Sequence, residues 1–126
     1  MTIGLWPSLV YTDAAAACSW LAAIGFTEHV TFKDEEDGHL HHAEYLWPAG
    51  GGVMFGTYHP DYPEWPARPG TGNTYLVTED VDAVHAAALA AGGTSVREPV
   101  DEDHGRNATV KDPEGNMWSF GTYVSA

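Results

Sequence analysis

The chain of 126 residues predicts an α+β fold made of two successive strand–helix–strand–strand–strand units, and three features predict it. A helix-capping aspartate stands at Asp13 and again at Asp80, 67 positions later. The glycines that stop the two Ala-rich helices, Gly25 and Gly92, repeat with the same offset. The apolar segments before and after each helix also recur in the same order. An internal repeat constrains the whole architecture. Two similar halves, each with one apolar sheet face, can cover that face with helices and curve the other around a ligand.

Leu9-Val10-Tyr11 reads as the end of the first strand, and Asp13 as the N-cap that follows it. Ala14 to Ile24 is a helix, because alanine loses no side-chain entropy there and Trp20, Leu21 and Ile24 form an apolar side. Gly25 ends it, as a residue tolerant of positive φ should. His29 to Lys33 is a strand, Asp34-Glu35-Glu36-Asp37-Gly38 a solvated turn, and Leu40 to Trp47 and Val53 to Phe55 two further strands. Pro48-Ala49-Gly50-Gly51-Gly52 separates that last pair. The stretch from Tyr58 to Pro69 carries Pro60, Pro63, Pro66 and Pro69, which forbid a central strand or a long helix. Thr74 to Thr78 then starts the second unit, with a helix from Asp82 to Ala91. Thr94 to Glu98, Asn107 to Lys111 and Met117 to Tyr123 read as its strands, and Asp112-Pro113-Glu114-Gly115-Asn116 as a tight turn. The units span about 1–57 and 73–126, joined by a loop at about 58–72.

Composition bounds the function. A hydrophobic fraction of 44% with 12% aromatics is too rich for a disordered chain. No apolar run approaches the ~20 residues that span a bilayer, and Met1–Trp6 lacks the basic region of a signal peptide. Cys18 stands alone, which excludes a disulfide scaffold and fits a reducing cytoplasm. Five basic residues against 18 acidic ones give a net charge of −13, which argues against nucleic acid as a partner. Such a charge either draws in a cationic ligand or serves solubility alone.

The chain resembles the vicinal oxygen chelate superfamily, which includes glyoxalase I, extradiol dioxygenases and bleomycin-resistance proteins. The likeness rests on Pro7-Ser8-Leu9-Val10-Tyr11-Thr12-Asp13 before a helix ending Ile24-Gly25-Phe26, and on Tyr75-Leu76-Val77-Thr78-Glu79-Asp80-Val81-Asp82. It rests also on His104-Gly105-Arg106 leading into Asp112-Pro113-Glu114-Gly115-Asn116-Met117-Trp118, the most specific segment. The resemblance implies two βαβββ modules forming a cupped mixed sheet with helices on the convex face. It also implies a homodimer and a pocket on the concave side.

It implies further that relatives with a metal hold it by one ligand from each of four strands. The first ligand of each module lies seven residues before the capping aspartate, at Trp6 and Asn73 here. The second-module carboxylate, seven residues after Asp112, falls on Ser119, and its first-module counterpart near Met54. A divalent ion needs several oxygen, nitrogen or thiolate donors converging within about 2.0–2.3 Å. Trp6, Met54, Asn73 and Ser119 offer no carboxylate and no imidazole, so no metal and no cofactor are expected there. His39, His41 and His42 share one strand, but alternation separates His42 and Glu44 from His39 and His41. They read either as a chelating pair awaiting a third ligand or as a polar strand beside an acidic turn. His85 is expected on the surface of the second helix. Neither a Gly-x-Ser-x-Gly elbow nor a dinucleotide fingerprint occurs.

Strand alternation aims Trp6, Ser8, Met54, Asn73, Tyr75 and Ser119 into the cup and leaves Leu9, Tyr11, Phe55, Leu76, Trp118 and Phe120 as core. Trp47, Tyr58, Tyr62 and Trp65 lie in or beside the Pro- and Gly-rich loops, where they either stack on a ligand or pin the loops to the domain. Arg106 binds a ligand carboxylate or neutralises Asp101-Glu102-Asp103. These groups suit a flat amphipathic molecule. The expected function is metal-independent binding and sequestration of a cationic or aromatic natural product or antibiotic, as in the bleomycin-resistance branch. The alternative is a superfamily lyase, isomerase or dioxygenase with a non-standard or absent metal site. A small-molecule ligand is expected, without nucleic acid or membrane as partner.

Overall fold

A computed structural model describes residues 2–62 and 64–124. The first module comprises β1 (Ser8–Tyr11), α1 (Ala14–Ile24), β2 (Thr27–Lys33), β3 (Leu40–Leu46) and β4 (Gly52–Thr57). The second comprises β5 (Asn73–Val77), α2 (Val81–Ala90), β6 (Thr94–Glu102), β7 (Gly105–Lys111) and β8 (Met117–Gly121). The sheet is divided in two, ordered β1-β4-β3-β2 and β5-β8-β7-β6. In each, the first strand runs parallel to the last and the other pairs are antiparallel. The α+β class and the two-module topology therefore hold.

The repeat extends into fine geometry. The Asp13 side chain accepts a hydrogen bond from the Ala16 amide at 3.0 Å, and Asp80 accepts one from the Ala83 amide at 3.1 Å. The register shift between Glu28 and Val30 in β2 recurs between Ser95 and Arg97 in β6, again 67 residues on. β6 continues past Pro99 to Glu102, further than expected. As an edge strand broken in register between Arg97 and Val100, it tolerates the missing amide.

Both sheets turn one face to a shared core. Leu9, Tyr11, Phe55, Leu76, Trp118 and Phe120 are all buried in it, as alternation requires. Trp20 and Phe26 from the first module lie against Trp118 of β8, with ring centroids 6.2 and 5.7 Å apart. The Trp20 indole also donates to the Ala88 carbonyl of α2 at 3.2 Å. His85 corrects a sequence expectation. It is only 8% exposed, shares the buried side of α2 with Val81 and Ala88, and bonds the Ser95 hydroxyl through Nε2 at 2.8 Å.

Asp112 ties the modules together. Its Oδ2 accepts from the Tyr11 hydroxyl at 2.7 Å, the Asn116 amide at 3.0 Å and the Trp118 indole at 3.1 Å. Its Oδ1 accepts from the backbone amides of Glu114 and Asn116, both at 3.0 Å. Burial, followed by the charge of Asp112, holds the Tyr11 phenol far above its ordinary value, so it remains a donor. Two residues on, the Glu114 carboxylate accepts from the backbone amides of Thr12 and Asp13 at 2.6 and 2.7 Å. No buried side-chain polar atom lacks a partner among the described residues. Nor is any helix there long and apolar enough to cross a membrane.

Asp112→Ala strands three side-chain donors, each costing about 1–3 kcal/mol when unsatisfied. Urea unfolding should show a loss of about 3 kcal/mol or more, against roughly 1 kcal/mol for Tyr11→Phe, which deletes one donor with the acceptor still satisfied. Equal losses would contradict the account.

Candidate functional site

The open face of the first sheet carries a cavity of about 390 Å³. Strand pairing sets its floor. Ser8 lies beside Met54, and Met54 beside Glu44, in one row across β1, β4 and β3. The next row outward brings Val10 beside Gly56. The walls come from the Pro-rich segment after β4, which supplies Tyr58, His59, Tyr62 and Trp65. Tyr62 and Trp65 are 55% and 58% exposed, so these aromatic faces remain open to a ligand. Arg68 braces this segment: its guanidinium sits 5.8 Å from the Tyr58 ring centre and donates to the carbonyls of Trp65 and Ala67.

His41 and His42 both line the cavity, although strict alternation would place them on opposite faces. The cause is a second irregularity of pairing: Phe32 lies opposite His42 while Lys33 lies opposite Leu40, so β3 carries an extra residue there. Each imidazole has a carboxylate partner. His41 Nε2 is 3.1 Å from Asp34 Oδ2, and His42 Nε2 is 2.7 Å from Glu44 Oε2. The Asp34 carboxyl is held below its usual range, first by the backbone amides of Glu36 and Asp37 and then by His41. His59, with its ring 6.0 Å from that of His39 and 5.3 Å from that of Tyr62, adds a third imidazole to the cavity wall.

Of the residues expected to touch a ligand, the cavity gathers Ser8, Met54, Tyr58 and Trp65. Trp6 lies just outside, its ring over Gly52, where an added Cβ would come within 2.7 Å of its Cζ3. Asn73, Tyr75 and Ser119 belong to the second sheet and do not line this cavity. Ser119 Oγ is instead 2.9 Å from Thr109 Oγ, and the Tyr75 hydroxyl donates to the Tyr123 carbonyl at 2.9 Å.

Trp47 and Arg106 take the structural alternative of the two roles open to each in the sequence. Trp47 is 8% exposed, packs on Phe26 with centroids 4.9 Å apart, and donates from its indole to the Val77 carbonyl at 2.7 Å. It pins the first module to the second. Gly25, at φ +127°, leaves the space this ring needs. Arg106 is consumed by Asp82, to which it donates through Nε and Nη2 at 3.1 and 2.9 Å, and by Asp101 at 3.1 Å. Those bonds push the guanidinium further up and hold the Asp82 carboxyl down.

Sequence reading did not single out Val10 or His59 as cavity residues. Val10 was legible, since it alternates with Leu9 and Tyr11, both core. His59 had no such signal, because the Pro-rich segment has no period.

The four positions that correspond to the metal ligands of relatives do not fit that role. An indole, a thioether, an amide and a hydroxyl supply no anionic donor. Among the described residues, no three His, Cys, Asp or Glu side chains converge as a metal-binding group.

Residues 5–120 match the family described as the Glyoxalase/Bleomycin resistance protein/Dioxygenase superfamily. The chain is similar to TioX from Micromonospora sp. ML1, at 26% identity and a TM-score of 0.74 over 96% of this chain and 100% of that one. It has the fold of TnmS3, an antibiotic binding protein from Streptomyces sp. CB03234, at 23% identity and a TM-score of 0.66 over 96% and 97% of the two chains. Over 58 residues, 45% of this chain, it is 40% identical to the CFP32 proteins of Mycobacterium bovis and Mycobacterium tuberculosis. It spans 22% of the length of those curated relatives.

The two exposed and buried tryptophans should separate cleanly. Trp47→Ala opens the core and should cost about 3–5 kcal/mol in chemical denaturation. Trp65→Ala, at an exposed wall, should stay within about 0.5 kcal/mol of the parent.

Proposed function

The chain belongs to the glyoxalase/bleomycin resistance protein/dioxygenase superfamily, and on that premise we propose that it is a binding protein that sequesters an aromatic natural product or antibiotic. The observation that carries this reading is the cavity itself. A volume of about 390 Å³ suits a drug-sized ring system, and its walls combine Met54 below with Tyr58, Tyr62 and Trp65 around the opening. Aromatic walls and a thioether grip a planar ring through stacking and dispersion without demanding a fixed chemical group. That a protein of the same fold, TnmS3, is an antibiotic binding protein supports the reading. The donor chemistry at the relatives' metal positions favours binding without a metal.

The pocket is completed in a homodimer. In one chain the described residues that wall the cavity come from the first module and the linking segment. The second sheet meanwhile leaves Tyr75 45% exposed beside Ser119, its register partner. A second copy laying this face over the first copy's cavity would bring Asn73, Tyr75 and Ser119 to the ligand, which unites the two sets of expected residues. Enzymatic turnover is the competing reading, favoured by the His42–Glu44 pair, an imidazole oriented by a carboxylate as general bases are.

Titration with a panel of aromatic antibiotics, followed by mass spectrometry of the released ligand, tests this. One ligand per chain, recovered unchanged, is expected, with Trp65→Ala and Tyr62→Ala each weakening binding about tenfold. A chemically altered product would overturn sequestration in favour of catalysis. Analytical ultracentrifugation should show a dimer that Tyr75→Arg dissociates.

A further inference from the structure

The cavity's polar groups narrow the ligand beyond its flat shape. No acidic residue lines it among the described residues; Asp34 and Glu44 each pair with an imidazole that does. The net charge of the chain therefore does not present a free carboxylate to the ligand at this point. What the floor presents is a pair of histidines.

Their tautomers follow from their partners. A carboxylate accepts, so the Nε2 facing it must carry the proton, and in the neutral ring the proton-free nitrogen is then Nδ1. This holds for His42 against Glu44 at 2.7 Å and for His41 against Asp34 at 3.1 Å. The extra residue in β3 is what brings both rings to the same cavity. Two imidazoles lining one cavity with the same nitrogen left over offer two acceptors, and the carboxylate behind each holds its tautomer. Such a nitrogen is suited to accept from an acidic hydroxyl, because partial proton transfer toward the ring is compensated by the carboxylate. It gives nothing to an ammonium ion that a plain carboxylate would not give better.

We propose that the ligand is a planar aromatic bearing an acidic hydroxyl, a phenol or enol, that donates to Nδ1 of His42, with His41 as the second acceptor. Met54 and the aromatic wall hold the ring, and Glu44 and Asp34 act as positioning residues that fix the two tautomers. This rests on the cavity being the ligand site, and it selects the aromatic branch of the earlier expectation over the cationic one.

Two probes of the same shape test it: 2-naphthol, and 2-methoxynaphthalene, whose oxygen can no longer donate. Binding is measured by fluorescence titration of the full chain in buffer containing EDTA. The parent protein should prefer 2-naphthol by about tenfold, the worth of one good hydrogen bond. His42→Phe should bring the preference to about twofold or less while retaining the methoxy probe, and Glu44→Gln should fall between. Nitrogen-15 spectra of the imidazoles should show His42 protonated at Nε2 in the free protein, a readout that needs no variant to fold. Equal affinity of both probes for the parent, an undiminished preference in His42→Phe, or a His42 protonated at Nδ1 would overturn the proposal and leave the cavity's role standing. Binding of neither probe would remove the aromatic site itself, and the hydroxyl recognition with it.

Discussion

The structure depends on one buried carboxylate. Asp112 sits in the last tight turn of the chain, yet its strongest partner by distance is Tyr11, 101 positions earlier in sequence. Five hydrogen bonds converge on its two oxygens, and those from Glu114 and Asn116 align the turn around it. A carboxylate withdrawn from water is tolerated only where donors replace the lost hydration. Four of those donors come from the turn and β8 and the fifth, Tyr11, from β1, so the set is complete only when the two modules are docked. The adjoining Glu114 repeats the principle at the surface, where its oxygens receive the two amides just ahead of α1.

With the modules fixed in this way, each sheet has one face committed to the core and one left open. That division leaves the open face of the first sheet free to carry the cavity. The floor is made by strands whose opposite side chains, Leu9, Phe55 and Tyr45, are core residues. Its geometry is therefore set by the same packing that stabilises the fold. The walls are different in kind, since they come from a segment with prolines in place of a hydrogen-bonded ladder. Rigid floor and separately built wall are what a binding site for a preformed flat molecule requires.

The repeat and the core were legible in the sequence, because both rest on periodicity and on capping chemistry. Asp13 and Asp80 announced the helices, and simple alternation sorted Leu9, Tyr11, Phe55, Leu76, Trp118 and Phe120 to the inside. His85 was also within reach: Val81, His85 and Ala88 stand at i, i+4 and i+7, and that spacing marks one helical face. Trp47 was not, since its neighbours Pro48 to Gly52 read as a loop and only the tertiary approach of Phe26 and Val77 brings it inside. The pairing of His41 with His42 was equally hidden, because an extra residue in a strand leaves no mark on local composition. Neither does the division into two sheets, which is decided by which edges fail to pair.

The linking segment from Tyr58 to Arg68 has a consequence for how such a protein changes over generations. Among the described residues it carries none of the buried core, yet it forms much of the cavity wall. Insertions or replacements of its aromatic residues reshape the cavity wall while Asp112 and the helices continue to hold the fold. The shape of the wall and the capacity to fold are thus written in different stretches of the chain, and selection can revise the first without renegotiating the second.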